Sequence, residues 1–175
     1  MSALLHPPSP HWRAAFAAEA QRIGTALHGM GALVHHMGST AIEGMAAKPI
    51  VDMLLVVSDL DDLDRKGAAL QALGYEVMGE FGIPGRRYFR RCTPEGVRSH
   101  HLHAYRQGSP EVQRHLAFRD YMNAHPAAAQ AYAALKQGLA TAFPEGGVGY
   151  VEGKDAFVKA HEAKALAWLR QSQWP

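Results

Sequence analysis

A short stretch in the first third of the chain combines residue types that suit the binding of phosphate and metal. Gly38, Ser39 and Thr40 follow an apolar segment, and a glycine beside two hydroxyl residues lets the backbone approach a ligand and direct N–H and O–H donors at it. Twelve residues separate Ser39 from Asp52, which interrupts a run of Ile, Val, Met and Leu. A carboxylate among apolar neighbours needs a partner, a proton or a cation. The stretch therefore predicts a phosphate-binding turn beside an acidic group.

Basic side chains supply further candidates for anion binding. Lys48 stands just ahead of the segment that carries Asp52, where it could neutralise a phosphate. Arg86, Arg87 and Arg90 lie in an arginine-rich segment, and guanidinium groups suit phosphate because they donate two parallel hydrogen bonds. On a strand, Arg86 and Arg90 would share one face and Arg87 would take the other. The sequence leaves open which set meets a ligand, and an ordinary solvated surface is the alternative for the cluster.

Two histidines are candidate metal ligands. His101 and His103 lie two positions apart in a strand-like segment, so their side chains share a face. If that strand lies beside the one that carries Asp52, two imidazoles and one carboxylate could form a three-ligand site. Such a set suits Zn, Mn or Fe better than Mg. Packing or hydrogen bonding is the alternative role for histidines on a strand.

Composition limits the class of protein. The chain has 175 residues, a hydrophobic fraction of 47%, a formal net charge of +2 and one cysteine, Cys92. This is the composition of a compact soluble protein, and the small net charge makes nucleic acid an unlikely partner. No apolar run has the length of a membrane span, and an internal disulfide would need a second cysteine. We expect a cytoplasmic protein with no membrane partner.

The rest of the chain predicts the elements that would position these groups. Apolar spacing, caps, glycines and prolines indicate strands over residues 32–37, 49–57, 75–80, 86–92 and 98–105, and helices over residues 9–27, 59–73, 109–123, 126–142 and 154–169. A short helical turn is expected over residues 40–46. The order predicts an α+β fold in a single domain over residues 1–175, with a strand-rich part at about residues 30–106 and a helical part at about residues 109–170.

Several blocks of the sequence resemble a known family. A Gly-Ser pair followed by an aspartate on an apolar strand is similar to the signature of the nucleotidyltransferase superfamily of polymerase beta type. The segments HMGSTAIEGMAAKPIVDMLL, GIPGRRYFRR, SHHLHAY and RHLAFRDYMNAHP, followed by Tyr132 and Lys136, more closely resemble the GrpB family of bacterial proteins. The resemblance runs from about His35 to Phe157. It implies a nucleotidyltransferase-like mixed sheet, partly antiparallel, flanked by helices.

The resemblance also implies roles for the candidate residues. Gly38 and Ser39 would hold a nucleotide phosphate, and Asp52 would be the catalytic, metal-binding carboxylate. The superfamily pattern has a second acidic residue two positions later, where this chain has Leu54. The implied ligand is a nucleotide or another phosphorylated small molecule, and the implied cofactor is Mg or Mn, with Zn as a further option. Transfer of a nucleotidyl group is the expected reaction. A non-catalytic nucleotide- or metal-binding module and a His/Asp metal-dependent hydrolase are the alternatives.

Overall fold

The computed structural model describes residues 4–172, in which strands precede a helical part as expected. Within that range the strands are β1 (Leu33–Met37), β2 (Val51–Val57), β3 (Tyr75–Val77), β4 (Arg87–Cys92) and β5 (Arg98–Arg106). The helices are α1 (His11–Ala26), α2 (Leu60–Arg65), α3 (Gly67–Ala72), α4 (Pro110–Ala124), α5 (Pro126–Ala142) and α6 (Gly147–Ser172). A short 3-10 helix, Ser39–Ala41, follows β1 and replaces the longer helical turn expected over residues 40–46.

The five strands form one mixed sheet in the order β1-β2-β5-β4-β3. Strands β2 and β5 pair in parallel, and the other three pairs are antiparallel. Strands β3, β4 and β5 therefore form the meander that the turn residues predicted. Because β5 returns to lie beside β2, side chains that are far apart in sequence meet at the middle of the sheet.

One face of the sheet carries the larger apolar core. Helices α1, α2 and α3 cover it, and alternate residues of β2 point into it because side chains of a strand alternate between faces. The buried side chains from the sheet and these helices are Ile23, Val51, Met53, Leu55, Leu63, Leu70, Phe89, Leu102 and Ala104. Burial of each large aliphatic side chain stabilises the fold by roughly 1.5–3 kcal/mol.

The opposite face packs against the helical part of the chain. Leu54, Val56 and Tyr105 contact Val112 and Leu116 of α4. Both faces of β2 are thus covered, as its two apolar faces predicted. Asp52 belongs to the face that meets α4 to α6, so the helical part must leave space around this carboxylate.

The helix expected over residues 59–73 is wrong in one respect, because the structure has two short helices there. Asp59 caps α2 by accepting hydrogen bonds from the backbone N–H groups of Asp61 and Asp62, as its position predicted. The chain leaves helical geometry at Lys66 (φ −94°, ψ 9°) before Gly67 begins α3. The Lys66 amine donates to the carbonyl of His28, which lies just after α1. A low-propensity glycine and this tertiary contact explain the break.

The last helix begins earlier than the sequence indicated. α6 starts at Gly147, although the glycines within residues 143–149 predict a loop there. A Cβ atom at Gly149 would collide with the ring of Phe143, and one at Gly153 would collide with Leu139. These glycines therefore allow close packing of α6 on α5, a role that outweighs their low helix propensity. Among the described helices, none is long and apolar enough to cross a membrane.

Candidate functional site

The parallel pairing of β2 and β5 brings Asp52 and His101 side by side. The register aligns Asp52 with His101 and Leu54 with His103. The Asp52 Oδ1 and His101 Nδ1 atoms are 3.0 Å apart, at hydrogen-bond distance. Burial, the largest single effect, would raise the pKa of Asp52, but the hydrogen bond with His101 and the nearby charges of the histidines and Lys154 together lower it. Asp52 is therefore an ionised carboxylate beside an imidazole.

His101 presents a nitrogen without a hydrogen-bond partner. With Nδ1–H donated to Asp52, the lone pair of this imidazole resides on Nε2. Nε2 is buried and has no hydrogen-bond partner among residues 4–172. A carboxylate that fixes the tautomer of a histidine is the usual support of an imidazole that binds metal or accepts a proton.

His103 completes the group of three predicted metal ligands. One ligand atom from each of Asp52, His101 and His103 lies within 4.8 Å of the others. Ligand atoms around one ion at about 2.0–2.2 Å lie about 3–4 Å apart, so small side-chain rotations would let the group hold a cation. Burial lowers the pKa of His103 to about 3, which keeps this imidazole neutral and able to bind metal. Nδ1 of His103 faces the Arg86 guanidinium at 3.4 Å, and a cation there would compete with Arg86.

The turn predicted to hold phosphate lies directly against Asp52. Gly38 adopts φ +70°, and a Cβ atom built on it would lie 2.7 Å from Asp52 Oδ2. A side chain at this position would therefore displace the carboxylate, which is a stronger requirement for glycine than the backbone angle alone. Ser39 and Thr40 follow in the 3-10 helix. The turn at Gly38 and the carboxylate of Asp52 are therefore adjacent, as the sequence predicted.

A histidine on the far side of the turn contacts Thr40. His36 Nε2 lies 2.9 Å from the Thr40 hydroxyl, and the imidazole stacks on Phe16 of α1 at 4.7 Å between ring centroids. Burial lowers the pKa of His36 to about 4, so the ring is neutral at pH 7. The side chain of Thr40 is therefore held in a fixed orientation from behind.

Helix α4 holds the turn in place through its backbone. Asn123 Oδ1 accepts from the N–H of Glu43 at 2.9 Å, and its Nδ2 donates to the carbonyl of Ala41 at 3.2 Å. One turn earlier on the same helix, Arg119 donates to the carbonyl of His36 at 2.9 Å. The turn is consequently anchored to a helix rather than to neighbouring loop residues.

A cleft of about 120 Å³ opens between this turn, Asp52 and the helical part. Its walls come from the segment that joins β1 to β2, from the sheet, and from α5 and α6. The lining residues are Ser39, Thr40, Ala47, Lys48, Ile50, Asp52, His101, Lys136, Tyr150, Val151 and Lys154. Its charged lining therefore consists of three lysines and one carboxylate, and it favours an anion with several negative charges.

Burial and nearby cations lower the affinity of the three lysines for protons. Lys136 is 2% exposed, its amine donates to the carbonyl of Ala46 at 2.6 Å, and burial together with the charge of Lys154 lowers its pKa to about 7. The amines of Lys48 and Lys154 lie 4.6 and 4.5 Å from the centre of the Tyr150 ring. Burial and neighbouring cations lower the pKa of these two lysines also. Such crowding of like charge is relieved by a bound anion.

The predicted arginines are not brought together. Arg86 lies on the side of the histidines but donates to the backbone carbonyls of Glu80 and Phe81. Arg87 lies on the opposite face, where it pairs with Asp64 of α2. Arg90 pairs with Glu76 of the edge strand β3. Arg87 is thus outside the cleft because strand alternation turns it toward α2, and none of the three lines the cleft.

Two tyrosines near the site were not predicted as site residues, although Tyr132 belongs to the part of the chain that resembles the GrpB family. The Tyr132 hydroxyl lies near the side chain of Ser39, and the amines of Lys48 and Lys154 both lie over the Tyr150 ring. Lys136 and Lys154 were ambiguous, because a lysine on a late helix is usually solvated. The spacing of four residues between Tyr132 and Lys136, and between Tyr150 and Lys154, was the available clue, since such pairs share a helix face.

Structural comparison first defines the class of fold. The chain is similar to Cid1 in complex with its short product ApU, with a TM-score of 0.51, 12% identity, and coverage of 74% of this chain and 41% of that chain. At this identity the likeness concerns the fold alone, which is of nucleotidyltransferase type. This confirms the predicted fold class.

Sequence comparison then shows the family. The protein-family model described as GrpB protein matches residues 3–164, and the chain therefore belongs to the GrpB family. GrpB from Enterococcus faecalis, a solved structure, is 41% identical with a TM-score of 0.87 and coverage of 94% of this chain and 98% of that chain. The protein YqkA of Bacillus subtilis is 42% identical over 91% of this chain. The chain spans 46% of the length of YqkA.

Proposed function

We propose that the protein binds a nucleotide through its phosphates and, with a divalent metal, transfers a nucleotidyl group to an acceptor. One observation carries the proposal: the Gly38 turn, the carboxylate of Asp52 and three lysines share one cleft. The nucleotidyltransferase type of the fold supports the same reading, because it places a turn and a strand carboxylate together in this manner.

The charges of the cleft suit a polyphosphate better than a monophosphate. Lys48, Lys136 and Lys154 exceed the single negative charge of Asp52, and a divalent cation would add to the excess. The hydroxyl groups of Ser39 and Thr40 supply neutral donors at the same wall. Electrostatic stabilisation of a phosphoryl group by such preorganised donors is the largest contribution to many transfer reactions.

The chemistry of the ligand group narrows the metal. Asp52, His101 and His103 would hold it, and a mixed nitrogen and oxygen set favours Mn, Zn or Fe over Mg. When bound, such an ion would polarise a phosphoryl oxygen as a Lewis acid. The residues themselves would bind and orient the phosphates, and the leaving pyrophosphate would be neutralised by the lysines. An ionised Asp52 beside a neutral His103 is consistent with this division of labour.

Nucleotide binding and turnover provide the primary test. The purified protein should bind ATP, GTP, CTP or UTP in a manner that depends on added Mn, Zn or Mg, as measured by isothermal titration calorimetry. Release of pyrophosphate with candidate acceptors should follow. Binding without pyrophosphate release across acceptors would instead favour a non-catalytic module, which the apolar Leu54 at the position of the second carboxylate also favours.

Asp52→Asn is expected to abolish metal-dependent nucleotide binding, with at least a tenfold loss of affinity. Asparagine keeps the size of the side chain but removes the charge that holds a cation. Asp61→Asn, on the exposed surface of α2, is the matched control and should bind as the unmodified protein does. If Asp52→Asn instead raises stability and leaves binding unchanged, Asp52 is a buried structural group.

Metal content tests the ligand set and the hydrolase alternative together. Protein purified in the presence of Mn or Zn should contain the metal, as measured by inductively coupled plasma mass spectrometry. His101→Ala and His103→Ala should each reduce that content. Unchanged metal content in both variants would show that these histidines do not hold the metal. It would also exclude a hydrolase that depends on His and Asp.

A further inference from the structure

The loop between β3 and β4 exposes apolar side chains on a strained backbone. Phe81 is 56% exposed and has φ +46°, the one positive φ of a non-glycine residue in the described part of the chain. Ile83, two residues later, is 41% exposed. A bulky residue in the left-handed region is strained, and exposure of its ring leaves that strain without the compensation of burial. An exposed aromatic ring on a strained backbone is a candidate for contact with a ligand.

The conformation of this loop is fixed by a buried arginine. Arg86 is 7% exposed, and its guanidinium donates to the carbonyl of Phe81 at 2.8 Å and to that of Glu80 at 3.2 Å. The Glu80 carboxylate accepts from the N–H of Gly85 at 2.7 Å across the loop. The exposed ring of Phe81 is therefore presented by a rigid frame and is not a mobile surface residue.

A row of rings connects Phe81 to the candidate metal ligands. The Phe81 ring contacts that of Tyr88 at 5.3 Å between centroids. Tyr88 in turn contacts His101 edge-on at 5.6 Å and His103 at 5.0 Å. Two successive ring contacts thus connect Phe81 to His101, which lines the cleft.

The size of the cleft requires that part of the ligand lies outside it. Sites for small molecules usually measure about 300–1,000 Å³, and the lysine-lined cleft of about 120 Å³ has room for a phosphate chain only. The remainder of a nucleotide must therefore rest on a neighbouring surface. Phe81 and Ile83 offer an exposed apolar platform on the side of the histidines, where the carboxylate and imidazoles adjoin the row of rings.

We propose that Phe81, supported by Ile83, stacks against the nucleobase of the nucleotide whose phosphates lie in the cleft. The inference rests on the proposed function and adds the subsite for the planar part of the ligand. Stacking on a side chain uses the π-face that every base has, so discrimination between the four bases is expected to be weak. The rigid frame built by Arg86 keeps the ring in place before the ligand arrives.

The test compares nucleotides with a ligand that lacks the base. Affinities for ATP, CTP and inorganic tripolyphosphate are measured by isothermal titration calorimetry with Mn present. Phe81→Ala should weaken ATP and CTP by about 5- to 100-fold, the range given by loss of one base stack, and change tripolyphosphate by less than twofold. Phe81→Trp should retain binding of both nucleotides. Leu33→Ala, which truncates a side chain that is 59% exposed on the edge strand β1, is the matched control.

A second variant separates the ring from the backbone. Phe81→Asn removes the ring but suits the positive φ, because asparagine tolerates the left-handed region. It should keep or raise the midpoint of thermal unfolding while it lowers nucleotide affinity as Phe81→Ala does. An equal loss of affinity for tripolyphosphate and nucleotides would show a purely structural role for Phe81. Unchanged nucleotide affinity would place the base elsewhere and overturn the inference. Failure of the unmodified protein to bind either ligand would overturn the proposed function and this subsite with it.

Discussion

Lys136 shows how strongly the cleft acts on a single residue. The amine is buried, and its pKa falls from an ordinary value of 10.5 to about 7 because of burial and the charge of Lys154. Between these two pKa values the unfolded chain binds more protons than the folded protein does. The free energy of unfolding should therefore rise as pH increases from about 7 toward 10.

Lys136→Met is expected to flatten this dependence and to raise stability at pH 7 by up to a few kcal/mol, since each unit of pKa shift corresponds to about 1.4 kcal/mol. Urea unfolding between pH 7 and 9 measures it, below the range in which the tyrosines ionise. Lys164→Met, at an exposed lysine of α6, is the control. A parallel dependence in both variants would show that Lys136 is not the titrating group.

The residues of the site differ in how far the sequence revealed them. Asp52, His101 and His103 could be placed on one face because alternation along a strand is strict, and the structure groups them. Their roles stay a prediction. The face of Arg87 could not be known, because alternation gives two sets without saying which set meets the helices. Tyr150 was not predicted as a site residue, because its place in the site depends on contacts with Lys48 and Lys154, which lie on different elements.

At the scale of elements, α4 holds the Gly38 turn, which is predicted to bind phosphate, in a fixed position. Asn123 makes two hydrogen bonds to the turn backbone, at Ala41 and Glu43. We expect Asn123→Ala to lower nucleotide affinity about tenfold, because the turn then loses its fixed position relative to Asp52. Its cost in stability should be about 0.5–1.5 kcal/mol, the usual net contribution of a hydrogen bond, because both hydrogen bonds are exposed to solvent.

Calorimetry and urea unfolding of the same preparations measure both effects of Asn123→Ala. Gln113→Ala, at an exposed position of the same helix, is the matched control. Affinity that stays unchanged while stability falls would mean that the turn holds its shape without α4.

The elements themselves followed from the sequence except where tertiary packing overrode local preference. Proline and serine at the start of α4, and proline at the start of α5, set those boundaries correctly. The predicted start of α6 at residue 154 is wrong, because local preference places Gly149 in a loop, whereas Gly149 and Gly153 permit contact with Phe143 and Leu139. The local signal for the break at Lys66 is only Gly67, and the break also depends on a carbonyl near α1 that local sequence does not indicate.

At the scale of the whole molecule, the two faces of the sheet differ: the candidate site lies on one face, and a buried network of charged residues lies on the other. The face away from the cleft contains Glu19, 4% exposed, which receives hydrogen bonds from Tyr75 at 3.0 Å, Arg22 at 2.7 Å and Arg91 at 2.6 Å. Burial alone would raise the pKa of Glu19, but these partners, Arg22 foremost, lower it. This network joins α1 to β3 and β4, on the side of the sheet opposite Asp52.

Glu19→Gln is expected to reduce the free energy of unfolding by about 1–3 kcal/mol, because the arginines lose their charged partner. Nucleotide affinity of the folded protein should not change, since the network lies on the other face. Thermal unfolding and calorimetry at pH 7 measure the two quantities. Glu95→Gln, in the exposed turn between β4 and β5, is the control. A loss of nucleotide affinity below the unfolding midpoint would show that the two faces are coupled.

The parallel pair formed by β2 and β5 has a consequence for the order in which the molecule assembles. Asp52 and His101 are 49 residues apart in the chain, and the intervening segment contains two helices and a hairpin. Closing so long a loop is entropically costly and slow relative to local contacts. A chain emerging from the ribosome therefore completes this pair only after residue 101 has been made and the last strand has docked. Until then, an ion that needs both residues as ligands would have no binding site. Once bound, it would link two parts of the sheet that are distant in sequence.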